Sequence, residues 1–238
     1  QKLKKMVGVD EHLGEKIQTD LEFQDHFGKT ITLAEYVNGD KPVIVSLNYY
    51  SCETLCSVQL NSLLEGLKTL DWLSGEDFNT VTISIDPDED SSLAGRKRGS
   101  YLNQLGRTKA DWNFLVGEQD QITEIAKEFG FRYFYDEKSK QYAHPAVVMI
   151  LSPEGQISRY LYGLDYTAQD LKFALMEAAE GKIGTTLDRI ILSCFIYDNT
   201  TGKYTQDVRK LMMAAGLTTV FFLSLMVTVL WRRELKGA

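Results

Sequence analysis

Cysteine is scarce in this chain, with three among 238 residues, and histidine is equally rare. Basic charge is also short: 26 Lys and Arg stand against 33 Asp and Glu, a net charge of -7. Nucleic-acid binding, which wants a basic face, is therefore not expected. The chain has no P-loop, nucleophile elbow or dinucleotide fingerprint, so kinase and hydrolase readings find no support. It also lacks the single reactive thiol flanked by threonine and arginine that peroxiredoxin chemistry would need. Internal repeats and low-complexity tracts are absent, and no long apolar run occurs before the last thirty residues. What remains is 44% hydrophobic and 25% charged, the balance of a folded protein with room for one substantial domain and a modest appendage.

The pattern along the chain is mixed. Residues 1–16 are polar and carry no period. "LEFQDHFGKTITLAEYV" reads as a hairpin turning at Gly28, and "KPVIVSLNYY" as a strand covered on both faces. "SVQLNSLLEGLKTL" has the spacing of a helix, and "FNTVTISID" is a second buried strand ended by "PDEDSS". "GRKRGSYLNQLG" and "DQITEIAKEFGF" read as helices, the second stopped by Gly130. "PAVVMILSPEGQISRYLYG" is a hairpin around "SPEG". The following helix has Thr167 as N-cap, Asp170 three residues on, and Gly181 as its stop. Strands alternating with helices and closed by an antiparallel hairpin predict an α/β fold of thioredoxin-like plan, with an N-terminal β-hairpin extension. The expected organisation is an extension over 1–16, the domain over 17–183 and a connector without a core of its own over 184–210.

The chemistry gathers in "NYYSCETLC". Cys52 and Cys56 fall where a strand gives way to a helix, the end of a sheet at which open α/β folds place their sites. Residues i and i+4 share a helix face, and a helix N-terminus favours the thiolate. The pair can be a disulfide, a redox dithiol or half of a metal site; spacing alone does not choose. His144, in "YAHPAVVMIL", precedes the strand that in thioredoxin-like folds faces the cysteine loop. Two thiolates and an imidazole suit copper, particularly Cu(I), better than zinc, which wants a fourth ligand. The same comparison of folds predicts a cis His144–Pro145 bond.

From Leu211 to Trp231 the sequence has no charged residue. As a helix rising about 1.5 Å per residue it would span roughly 30 Å, the hydrocarbon thickness of a bilayer. "RRELK" follows, so a transmembrane helix over 211–231 with a cytoplasmic tail over 232–238 is expected, leaving residues 1–210 on the other side. Export ahead of such an anchor needs a signal peptide, expected to have been removed before Gln1.

"YYSCETLC", "TISIDPDED", "YAHPAVVMILSPEGQISRYLYG" and "EAAEGKIG…ILSCFIYDNTTGKYT" together resemble the SCO/SenC family over roughly residues 7 to 205. Members of that family are membrane-anchored, thioredoxin-like proteins that help assemble the copper centre in subunit II of cytochrome c oxidase. The resemblance implies copper, as Cu(I) or Cu(II), held by Cys52, Cys56 and His144, and thiol–disulfide exchange by the same two cysteines. It implies a chaperone rather than an enzyme, working with cytochrome c oxidase subunit II or a respiratory complex. The location implied is the bacterial cytoplasmic membrane, with the domain facing the periplasm. A thiol–disulfide oxidoreductase without stored copper and a resident structural subunit are the alternatives. Asp86 matches an acidic position of the family and is read here as ending its strand.

Three departures stand out. Glu53 replaces the proline usual after the first cysteine, and the tether lies at the C-terminus. Cys194 is followed by Phe195 and Ile196, without the nearby histidine of relatives tethered this way, and is expected to be a small apolar connector residue.

Overall fold

The computed structural model describes residues 6–51, 55–180, 195–198, 203–206 and 208–237; for some of these, Cys56 among them, the description stops at the backbone. The chain divides into two compact units, residues 1–184 with 199–203 and residues 185–198 with 204–238.

The first unit is organised by a five-stranded sheet. Its centre is β4 (Val43–Asn48), every residue of which is buried. A strand buried on both faces needs apolar residues without alternation, as "VIVSLN" supplies. β5 (Asn79–Ser84) runs parallel to it in register from Val43 opposite Asn79 to Asn48 opposite Ser84. β6 (Asn113–Leu115) adds a third parallel strand. On the other side of β4, β10 (Val147–Leu151) and β11 (Ile157–Tyr162) complete the order β11-β10-β4-β5-β6 as an antiparallel hairpin.

Helices α1 (Leu55–Thr69), α2 (Ser91–Leu105), α3 (Gln119–Glu128) and α4 (Ala168–Ala178) cover the sheet. Val43, Val45 and Leu47, alternate residues of β4, join one apolar cluster with Ile122 and Ile125 of α3 and with Phe23 and Ile31. Those two belong to β2 (Glu22–Gln24) and β3 (Thr30–Thr32), the expected N-terminal hairpin, turning at Gly28 with φ +82°. The opposite face is tied by polar bonds. Ser46 Oγ lies 2.8 Å from Thr82 Oγ1, which accepts from Trp112 Nε1 at 2.9 Å. Gln59 Nε2 of α1 donates to the Val147 carbonyl at 2.8 Å.

Several expectations need correction. The opening stretch is not featureless, because β1 (Gly8–Val9) pairs with β7 (Phe131–Arg132). Two-residue strands are too short to leave a period in sequence. A small hairpin, β8 (Phe134–Asp136) with β9 (Gln141–Ala143), was likewise invisible. α2 starts four residues earlier than its apolar spacing suggests, since Asp90 caps it by accepting the Leu93 N–H at 2.7 Å. α4 stops at Ala178, ahead of Gly181, which lies outside the described residues. Thr167 does cap that helix, accepting the Asp170 N–H at 3.1 Å. The His144–Pro145 bond is trans: no described peptide bond is cis. The Pro145 carbonyl lies 3.0 Å from the His144 ring nitrogen Nδ1.

The expected connector also holds regular structure. β12 (Phe195–Asp198) and β13 (Lys203–Gln206) form a two-stranded sheet. Cys194 lies outside the described residues. The chain ends in a single 30-residue helix, α5 (Val208–Gly237), running through the expected span and its tail without a break. Among the described residues no helix is long and apolar enough to cross a membrane; the side chains at 211, 214, 215 and 229–231 fall outside that description.

Candidate copper and thiol site

β4 delivers the chain to the cysteine loop at the carboxyl edge of the sheet. Its last residue, Asn48, pairs with Ser84, and the Asn48 carbonyl accepts the Ile85 N–H at 2.8 Å. Tyr49 and Tyr50 then turn opposite ways. The Tyr50 hydroxyl runs back through the sheet and donates at the carbonyls of Leu115, 2.6 Å away, and Thr82, 2.9 Å away. Complete burial drives its pKa well above that of a free phenol. Tyr49 packs its ring against Tyr142, centroids 5.5 Å apart, and edge-on against His144 at 6.2 Å.

The backbone leading to Cys52 is held by one side chain. Glu89 accepts the Tyr50 N–H at 2.8 Å and the Ser51 N–H at 2.6 Å, and the Ser84 hydroxyl donates to it at 2.6 Å. Cys52, Glu53 and Thr54 lie outside the described residues, and Cys56 is placed only as part of helix α1.

His144 is 6% exposed. Its ring sits between Tyr49 and Phe131, the latter 6.0 Å away by centroid. Burial is the larger influence on its pKa and lowers it, against the opposing hydrogen bond to the Pro145 carbonyl. A carbonyl oxygen only accepts, so the 3.0 Å contact requires the proton on Nδ1 and leaves the Nε2 lone pair as the basic site. A buried, neutral imidazole with one nitrogen pinned by a backbone carbonyl is the form in which histidine binds metal ions. The ring-to-sulfur distances themselves lie outside the described residues.

Asp86 follows β5 and closes a short turn, its Oδ1 accepting the Asp88 N–H at 3.0 Å. Burial raises its pKa, partly offset by that hydrogen bond. Its strand-ending role needs no metal. Among the described residues no group of three or more His, Cys, Asp or Glu side chains is arranged to hold a metal ion.

Sequence reasoning missed the aromatic surround of His144 and the role of Glu89. Tyr142 touches Tyr49, Tyr133 at 5.9 Å and Tyr135 at 5.0 Å, so aromatic rings run from His144 out to Tyr135, which is 42% exposed. Only the nearness of "NYY" to the cysteines and "QY" to the histidine could have hinted at it. Glu89 sits in an acidic run that read simply as a loop.

The model of the SCO1/SenC family matches residues 9–178. No curated protein matches the sequence. Among solved structures, a protein of Aquifex aeolicus VF5 provisionally named for electron transfer has a TM-score of 0.62 at 27% identity, covering 71% of this chain and 96% of that one. Arabidopsis thaliana ScoI, solved with copper bound, has a TM-score of 0.56 at 20% identity, covering 71% and 98%. BsSco, described as a member of the Sco family of cytochrome c oxidase assembly proteins with a disulfide switch, has a TM-score of 0.57 at 20% identity, covering 74% and 99%. The last two speak to the fold alone.

Proposed function

This chain belongs to the SCO1/SenC family, and we propose that it carries copper on Cys52, Cys56 and His144 and delivers it during assembly of cytochrome c oxidase. The observation that carries this reading is the state of His144. It is buried, with Nδ1 hydrogen-bonded to the Pro145 carbonyl and its pKa lowered, so the neutral imidazole, the form in which histidine binds metal ions, is favoured. Copper here is cargo. Soft thiolates with one imidazole make a donor set that prefers Cu(I). The copper-bound relative from Arabidopsis thaliana and the assembly role named for BsSco are in keeping with it. Thiol–disulfide exchange by Cys52 and Cys56 belongs to the same proposal: the reduced pair binds metal and the bridged pair does not.

The membrane anchor is also proposed. Supporting it are the uncharged run over 211–231 and the exposure of Met212, Leu217, Phe221, Phe222 and Met226, each more than half exposed on α5. Apolar side chains presented this way are costly in water and at rest in lipid. The basic "RRELK" after the uncharged run supports reading residues 1–210 as facing the space outside the cytoplasm of a bacterial cell, where disulfides persist.

Replacing His144 separates carriage from exchange. In His144→Ala the reduced protein should lose copper to a competing Cu(I) chelator, while exchange with glutathione stays near the wild-type rate. If copper retention is unchanged, His144 is not a ligand; if both activities fall together with folding intact, the histidine serves the thiols instead.

A further inference from the structure

β4 ends at Asn48, so the N–H groups of Tyr50 and Ser51 have no place in the sheet ladder, and Tyr50 is 1% exposed. A backbone donor left without a partner away from water, as the Tyr50 N–H would be, destabilises the fold; the Ser51 N–H belongs to an exposed residue. Both are taken by one half-buried carboxylate, that of Glu89, which engages each with a different oxygen: Oε2 for Tyr50 at 2.8 Å and Oε1 for Ser51 at 2.6 Å.

Glu89 is itself held. The Ser84 hydroxyl, fully buried, donates to Oε2 at 2.6 Å and accepts the Asp86 N–H at 3.1 Å. The next residue, Asp90, caps the 15-residue helix α2. The clamp is therefore fixed to the end of β5 on one side and to a helix on the other.

We propose that Glu89 is the positioning residue of the cysteine loop. It holds the chain at Tyr50 and Ser51 while Cys52 changes partner, so that rearrangement between bridged, reduced and metal-bound states pivots between Ser51 and Cys52. Fixing the approach reduces the conformational freedom lost when copper binds, and preorganisation of that kind appears as affinity. This rests on reading Cys52 and Cys56 as the redox and copper-carrying pair.

The test uses the full chain in detergent, as wild type, Glu89→Gln and Glu89→Ala. Gln keeps the size but opposes one of the two N–H groups with its own NH2; Ala removes both bonds. Amide exchange at Tyr50 and Ser51 is followed in the dithiol and disulfide states, Cu(I) retention against a chelator, and the thermal midpoint of the metal-free protein. Wild type should show equal protection of both amides in the two redox states. Both variants should exchange at least tenfold faster there and release Cu(I) to the chelator at least tenfold more readily. In Gln, which keeps one of the two N–H bonds, any fall in the thermal midpoint should be small beside the tenfold loss of copper retention, which a purely structural role would not allow. Wild-type exchange and copper retention in the variants would overturn the proposal, as would redox-dependent protection of Ser51 in wild type. Should wild type itself hold no copper, the proposed function fails, and the exchange measurements still decide the pivot. If Ala does not fold, Gln decides alone.

Discussion

At the scale of single residues, His144 was legible and its surroundings were not. A histidine just ahead of a strand, in a chain with two close cysteines, is visible in one dimension. The Tyr49 and Phe131 rings against it come from distant parts of the sequence, and only tertiary packing unites them. Their effect is measurable. Burial lowers the His144 pKa below its ordinary value near 6.5, so as pH falls the unfolded chain takes up this proton before the folded one does. Stability is full above about pH 6.5 and declines below it. Asp86 and Glu128, raised by burial, act in the opposite sense at lower pH. The contribution is isolated by comparing urea midpoints of wild type and His144→Gln from pH 7.5 to 5: wild type should lose the more over that interval, and parallel curves would refute the assignment. Thr82 gives a second prediction. Its hydroxyl serves Ser46 and Trp112 in the core, so Thr82→Val should cost about 1–3 kcal/mol in urea denaturation by stranding buried polar partners.

At the scale of elements, the long signals survived and, apart from the three-residue strands of the β2–β3 hairpin, the short ones did not. β4, β5, the β10–β11 hairpin and the helices were readable because each repeats its period or keeps its apolar run over five or more residues. β1, β7, β8 and β9 were missed because their pairing, rather than their composition, makes them strands. Within the expected connector, β12 and β13, four residues each, left no signal for the same reason. Close approach of elements also left only faint marks. Gly66 of α1 sits so near the turn before α4 that a Cβ there would lie 2.2 Å from the Tyr166 carbonyl oxygen. Gly66→Ala should therefore lower stability by about 1–3 kcal/mol, as overpacked contacts do, read as a lower thermal midpoint. An unchanged midpoint would mean that α1 and the turn are not in this contact.

At the scale of the whole molecule, fold class and family were legible, since the cysteine pair, "DP" and distal histidine recur in one order along most of the chain. The placement of the Cys52 and Cys56 sulfurs relative to His144 was not, because it rests on tertiary packing at residues outside the described ones. The proposed anchor predicts that the chain made with an added export signal stays with the membrane pellet after alkaline carbonate extraction. A chain ending at 206 should be released to the supernatant, and release of the full chain would contradict the anchor. The central claim is coordination, and X-ray absorption at the copper edge of the reduced, Cu(I)-loaded protein tests it most directly. Two sulfur scatterers and one imidazole nitrogen, the nitrogen lost in His144→Ala, are the predicted result. A copper shell without sulfur, or one unchanged by the substitution, would contradict it.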